Sequence, residues 1–198
     1  MQLSVAHLHL PARVRFASPM SDEELMRFSA ANEGLKIERE PDGEILVMTP
    51  TGFDSGPRNS YIIQQLGNWC DADGRGIFFD NNTGFTLPDN SVRSPDAAWL
   101  SHERADALPA SERRKYAHVV PEFVIELVSE NDSRSEVDAK MQMWMANGVQ
   151  VAWLIDPYMR EAAIYRAGAA PQVLSQPSVL EGDGPIVGFR LVMDRLWA

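Results

Sequence analysis

The segment FVIELV at residues 123–128 sets one carboxylate, Glu126, among apolar neighbours, the pattern of a strand buried on both faces. An isolated carboxylate in such a place costs several kcal/mol unless it is paired, neutralised or bound to a cation. A salt bridge to a buried Arg or Lys and a working acid both satisfy that demand, and the strand alone does not choose between them. Two other residues have their own reasons to point inward. Asp96 follows Pro95 and opens DAAWL (96–100), so Asp96, Ala98 and Leu100 share one face of the expected strand. A Pro-Asp pair also suits a plain turn into a strand. Lys140 falls on the helix expected after the Glu126 strand. Taking about 100° per residue, Val137, Met141, Trp144 and Met145 cover an arc of about 100°, and Lys140 lies roughly 40° beyond its Trp144 edge. From there a lysine either snorkels to solvent or reaches across the apolar face into a cleft. Ser133 and Glu136 form a capping box that anchors the register of this helix.

Two strand acids and a lysine suit metal-assisted phosphodiester cleavage. Carboxylates offer hard oxygens to Mg²⁺, which keeps several waters for itself. The ion makes a bound water more acidic and offsets charge at phosphorus, while the lysine stabilises that charge or orients the attacking water. The spacing itself is common to many proteins, so two other readings stand beside it. In one, the chain is a non-catalytic binding protein in which Glu126 and Lys140 form a buried ion pair. In the other, Asp96 and Glu126 act as the acid/base pair of a different hydrolase, as in glycosidases. The apolar strand and the lysine favour phosphate chemistry over the last.

The elements that must position these residues read as a mixed α/β order. Ser21 and Glu24 form a capping box for a short helix over 21–33, with Leu25, Met26 and Phe28 as its apolar stripe. Residues 35–39 and 44–48 flank the turn signal PDG and form a hairpin. Ile62, Ile63, Leu66, Trp69 and Cys70 recur at helical spacing from Gly56 to Asp71, and Gly74 and Gly76 end that helix. Strands follow at 77–80, 84–87 and 96–101, then a charged, helix-containing excursion over 102–120. The strand at 122–129, the helix at 133–147 with Gly148 after it, and strands at 151–156, 162–166 and 172–175 complete the order. The expected fold is a central mixed β-sheet flanked by helices, with an added N-terminal hairpin.

Length and composition bound the rest. At 198 residues the chain fits one domain of roughly 150 residues or a little more, here 1–198. Apolar residues at 44% and charged residues at 23% are ordinary for a globule. The lone cysteine, Cys70, has no internal partner for a disulfide. No apolar run approaches the ~20 residues of a membrane span, and the first residues lack a basic start, an apolar core and a small-residue cleavage site. A cytoplasmic location without membrane association is expected. Lys and Arg total 18 against 28 Asp and Glu, a formal net charge of −10. A chain that grips a polyanion normally carries a basic footprint, so this balance counts against tight, sequence-independent DNA binding.

Other residues carry weaker signals. His7, His9, His102 and His118 form no i, i+4 pair and have no Cys partner, which argues against zinc. Gly74 and Gly76 read as loop punctuation rather than a phosphate loop, and Ser55 and Ser60 lack a nucleophile-elbow context. Arg58 and Asn59, near a helix start, are candidate phosphate contacts or simple caps. Trp69, Trp99, Trp144 and Trp153 sit among aliphatics as core residues. Arg113, Arg114 and Lys115 form the best basic patch or an ordinary charged surface.

The chain as a whole resembles the Uma2 family of predicted endonucleases, within the PD-(D/E)XK, restriction-endonuclease-like superfamily. The resemblance runs from about residue 20 to Trp197 and rests on GEILVMTPTG (43–52), Gly56–Asn59 with the helix after it, VRSPDAAWLS (92–101), PEFVIELVSENDS (121–133), the Lys140 helix with NGV (147–149), and WLIDP (153–157). It implies that Asp96 is the acid of the Pro-Asp motif and Glu126 the second metal ligand. The superfamily's usual lysine would lie two residues after Glu126, where this chain has Val128; Lys140 occupies the matching position on the following helix. The superfamily often adds an early acid, for which Glu38 is the candidate and Glu40 the alternate. The resemblance further implies Mg²⁺ (or Mn²⁺) as cofactor, DNA as substrate and a homodimer.

Overall fold

The structure, a computed structural model, describes residue 3 and residues 10–49, 52–130 and 132–198. His7 and His9 lie outside the described residues. In chain order the first elements are β1 (Ala12–Val14), α1 (Asp22–Ala30), β2 (Lys36–Arg39), β3 (Ile45–Met48), α2 (Ser55–Asp73) and β4 (Gly76–Phe79). Then come β5 (Phe85–Thr86), β6 (Val92–Arg93), β7 (Ala97–Ser101), α3 (His102–Asp106), β8 (Ala117–His118) and β9 (Phe123–Leu127). The remainder is α4 (Arg134–Ala146), β10 (Val151–Asp156), β11 (Glu161–Arg166), β12 (Gln172–Ser175), β13 (Val179–Glu181) and β14 (Arg190–Val192). The chain divides into two compact units, one of residues 1–51, 82–94 and 108–119, the other of residues 52–81, 95–107 and 120–198.

In the first unit, the capping box forms as its sequence dictates: Ser21 Oγ accepts from the Glu24 N–H, and the Glu24 carboxylate accepts from the Ser21 N–H. The helix turns Leu25 and Phe28 onto a core with Ile37, Ile45, Val47 and Val92. The expected hairpin is β2–β3, and it belongs to a six-stranded sheet of order β1-β3-β2-β6-β5-β8. Of the basic triplet, Lys115 forms a local pair, 2.9 Å from Glu112 at the 3-10 turn Glu112–Arg114.

The second unit carries a six-stranded sheet of order β12-β11-β10-β9-β7-β4. Only β9 and β10 run parallel within it. Parallel neighbours cannot be joined by a tight turn, so the chain crosses back over the sheet, and α4 is that crossover. On the opposite face of the sheet, Ile62, Leu66 and Cys70 of α2 pack with Trp99, Phe123, Ile125 and Trp153. The sheet is therefore flanked by helices, as expected from the element order.

Most expected elements end within a few residues of the observed ones, and three differences have a local reason. β7 begins at Ala97, leaving Asp96 one residue outside the ladder with its N–H on the Ile125 carbonyl. Gly74 ends α2 in the left-handed region (φ 71°), whereas Gly76 is the first residue of β4. A Cβ at Gly76 would meet the Leu100 carbonyl oxygen at 2.4 Å, so its neighbour strand approaches too closely for any other residue. Residues 176–198, which the sequence reading leaves unassigned, form the β13–β14 hairpin and bury Leu180, Ile186, Phe189, Leu191, Met193, Leu196 and Trp197 in the core with α2.

Candidate active site

Ala97 pairs with Ile125 and Ala98 with Val124 across β7 and β9, so Asp96 stands level with Glu126, one step beyond the ladder. Alternation along both strands turns the two carboxylates to one side of the sheet, away from Ile125 and Leu127. Asp96 is then fixed by what surrounds it. Its Oδ2 accepts the Leu127 N–H at 2.8 Å, and its Oδ1 accepts from Asn59 Nδ2 of α2 at 3.3 Å.

Glu126 is 4% exposed and finds the partners its burial demands on α4. Lys140 Nζ donates to Oε2 at 2.8 Å, and the Trp144 indole N–H donates to Oε1 at 2.7 Å. Both donors come from the crossover helix, 14 and 18 residues downstream of the acid. The Lys140 side chain is about one-third exposed, at 31%, so its ammonium sits where a buried carboxylate meets solvent. The helical arithmetic is thus met by a lysine that reaches over the apolar face rather than one that snorkels outward.

The second unit therefore carries two hydrogen-bonded groups at one level of neighbouring strands, Asp96 with Asn59 and Glu126 with Lys140. Arg58 is directed elsewhere: its guanidinium lies 5.7 Å from the centre of the Tyr158 ring and donates to the Ala198 carbonyl oxygen at 2.7 Å. Asn59 touches Asp96 rather than standing at the start of α2 to meet phosphate. In the first unit, Glu38 and Glu40 share Arg93. Arg93 Nη1 lies 3.1 Å from Glu38 Oε2, Nη2 bonds Glu40, and Glu38 Oε1 also accepts the Ser94 N–H at 3.1 Å. Burial opposes the Arg93 charge, yet the two carboxylates more than offset it and raise the guanidinium above its ordinary pKa.

The donor set fits a divalent cation bound in the manner of Mg²⁺. Asp96 and Glu126, level on neighbouring strands, present the hard carboxylate oxygens that such a cation takes. Asn59 Oδ1 is buried with no hydrogen-bond partner, an amide oxygen of the kind such cations accept. No group of three or more His, Cys, Asp and Glu gathers at metal-binding spacing among the described residues. Mg²⁺ needs only one or two carboxylates because it retains waters, so a two-acid site is sufficient.

Two members of these groups were missed as functional residues by sequence reasoning. Trp144 reads as core, and it is fully buried, yet its one polar atom is on Glu126. The available signal was its position four residues after Lys140, on the same helix face one turn along. Leu127 contributes only its backbone N–H, which no side-chain pattern reveals.

The sequence model of the Uma2 family, described as "Putative restriction endonuclease", matches residues 22–194. The fold is similar to the crystal structure of a "putative nuclease belonging to DUF820" from Anabaena variabilis ATCC 29413, with a TM-score of 0.70 and 20% identity over 90% of this chain and 98% of that one. A DrdV–DNA complex seen by cryo-electron microscopy aligns with a TM-score of 0.40 and 16% identity, over 62% of this chain and 10% of that one. No curated protein sequence matches this chain.

Proposed function

We infer that this chain, which belongs to the Uma2 family, is a metal-dependent endonuclease that hydrolyses DNA phosphodiester bonds. The observation that carries the reading is the level placement of Asp96 and Glu126 with an ammonium 2.8 Å from the second acid. Asp96 and Glu126 are the residues that would hold Mg²⁺ or Mn²⁺. When bound, such an ion supplies positive charge opposite the phosphoryl oxygens and makes a water acidic enough to attack near neutral pH. The Leu127 N–H and Asn59 fix the Asp96 carboxylate, so its oxygens keep one orientation as substrate arrives. Lys140, partly open to solvent, is the cation that would stabilise charge on the scissile phosphate or orient the attacking water. Its place on α4 instead of β9 brings the ammonium to the same carboxylate from another backbone segment. The reading extends to a homodimer, as the family resemblance implies, working in the cytoplasm.

A second reading, a non-catalytic binding protein that keeps the fold, is favoured by the closed Glu126–Lys140 pair and by the net charge of −10. One experiment separates the two. Purified protein and its Asp96→Ala variant are incubated with plasmid and single-stranded DNA plus Mg²⁺ or Mn²⁺, alongside thermal melts with and without the ion. The nuclease reading expects wild-type cleavage that the variant lacks, and a melting temperature raised by the ion. Cleavage retained by the variant, or a wild type that shows neither cleavage nor a thermal shift, overturns it.

A further inference from the structure

We propose that Trp144 is the positioning residue of Glu126, holding the carboxylate through its indole N–H so that the other oxygen faces the reaction; this rests on the nuclease reading above. The geometry is specific. Trp144 is 0% exposed, Glu126 4%, and their bond is 2.7 Å. Each oxygen of Glu126 has its own donor from α4: Oε1 takes the buried neutral indole, Oε2 the partly exposed ammonium. Two donors one helical turn apart define the plane of the carboxylate, where a single donor would leave it free to rotate about its last bond.

Packing alone does not account for this arrangement. The indole nitrogen of Trp153 is also buried and has no hydrogen-bond partner. This core therefore tolerates an unbonded indole N–H, and Trp144 differs in having its N–H directed at a carboxylate of the site. A neutral donor also suits the role. It orients the acid without adding a second positive charge that would compete with a divalent cation for it.

The test pairs Trp144→Phe, which keeps a large apolar ring and removes the donor, with wild type. Of the five tryptophan indole N–H cross-peaks in a ¹⁵N–¹H spectrum, that of Trp144 is assigned through its own backbone, and Mg²⁺ is titrated without DNA. The expected results are a Mg²⁺-dependent shift of the Trp144 cross-peak in wild type, and in the folded variant a Kd for Mg²⁺ raised about 10- to 100-fold. The variant's kcat should fall over the same range with KM for DNA unchanged. A folded variant with wild-type Mg²⁺ affinity and kcat overturns the proposal and leaves the nuclease reading intact. A wild type that neither binds Mg²⁺ nor cleaves overturns both. Should the variant fail to fold, the wild-type titration decides: Mg²⁺ binding that leaves the Trp144 cross-peak unmoved overturns the proposal.

Discussion

The Asp96 carboxylate accepts the backbone N–H of Leu127, the residue directly after Glu126, at 2.8 Å. One acid is thereby tied to the very strand that carries the other, so the Asp96 carboxylate is fixed against the β9 backbone. Asparagine at position 96 can keep an oxygen on Leu127 and remove the charge, whereas alanine leaves that N–H without its acceptor.

Asp96→Asn is accordingly expected to fold with nearly wild-type stability. Asp96→Ala should lose about 1–3 kcal/mol, the cost of stranding a partly buried donor. Both should lose Mg²⁺-dependent cleavage. Urea unfolding and plasmid cleavage, measured on the same preparations, check the pair. An Asp96→Asn protein that still cleaves would contradict the ligand role.

Lys140 is a different case, because removing it strands a charge. Lys140→Met leaves Glu126 buried and takes away the cation at its Oε2. Partial exposure of the lysine lets water in, so the expected destabilisation is about 1–3 kcal/mol, below the 3–5 typical of a fully buried pair. Adding Glu126→Gln should recover part of that loss, since the stranded charge is gone. Cleavage should fall by about 10² or more in the single variant if the ammonium stabilises the transition state. Denaturant melts of the two single variants and the double variant give the coupling. Strict additivity of the losses would mean the pair does not interact.

The contrast between these residues shows what the sequence could carry. Glu126, Asp96 and Lys140 were legible because each breaks a local pattern: an acid in an apolar strand, an acid after proline, a lysine at the rim of an apolar arc. Apart from the Glu126–Lys140 pair, the partners of the buried charges were not, because those bonds depend on where distant segments cross. Asn59 meets Asp96 from 37 residues away, and Arg93 meets Glu38 from 55. The long elements read correctly, since α2, α4, β9 and β10 each span enough residues to show a period. β6 and β8, at two residues each, and β13 and β14, at three, are too short to show one.

The Glu38–Arg93–Glu40 group predicts an order of stabilities. Arg93→Met removes the cation that the two carboxylates share; Glu40 keeps Arg13 at 2.8 Å, whereas Glu38 is only 2% exposed. The substitution should cost about 3–5 kcal/mol. Glu38→Gln should cost less, because Arg93 keeps Glu40 and the amide oxygen still accepts the Ser94 N–H. Glu40→Gln should cost least, since Glu40 is 16% exposed and water can replace it. Guanidinium melts of the three variants test the ranking, and a costlier Glu40 than Arg93 would refute it.

Gly76→Ala probes the close approach of β4 to β7. The added methyl would lie 2.4 Å from the Leu100 oxygen and 2.5 Å from the Trp99 ring, and the nearest obstacle is backbone that cannot swing away. The expected loss is about 1–3 kcal/mol or more. Gly74→Ala places a side chain in open space but in the left-handed region (φ 71°), so its smaller cost, about 1 kcal/mol, is conformational. Thermal melts that reversed this order would show that the strands can part at Gly76.

Acid should weaken the first unit through Glu112. Hydrogen bonds from the His118 ring, the Lys115 ammonium and the His118 N–H pull its carboxyl down to about 2, from an ordinary value of 4.5. A carboxyl lowered by folding contributes stability that is present above the unfolded value and is lost as pH falls through the folded one. The window is therefore between about pH 4.5 and pH 2. Glu112→Gln removes the titrating group and its charge, so the variant should melt below wild type at pH 6, with the gap narrowing through that window and closing near pH 2. The pairs are partly open to solvent, with His118 49% exposed, so the shift should be small and should shrink in high salt. Melting temperatures of both proteins from pH 7 to pH 2 measure it. A gap that stays constant across the window would show that Glu112 acts through shape and not through its charge.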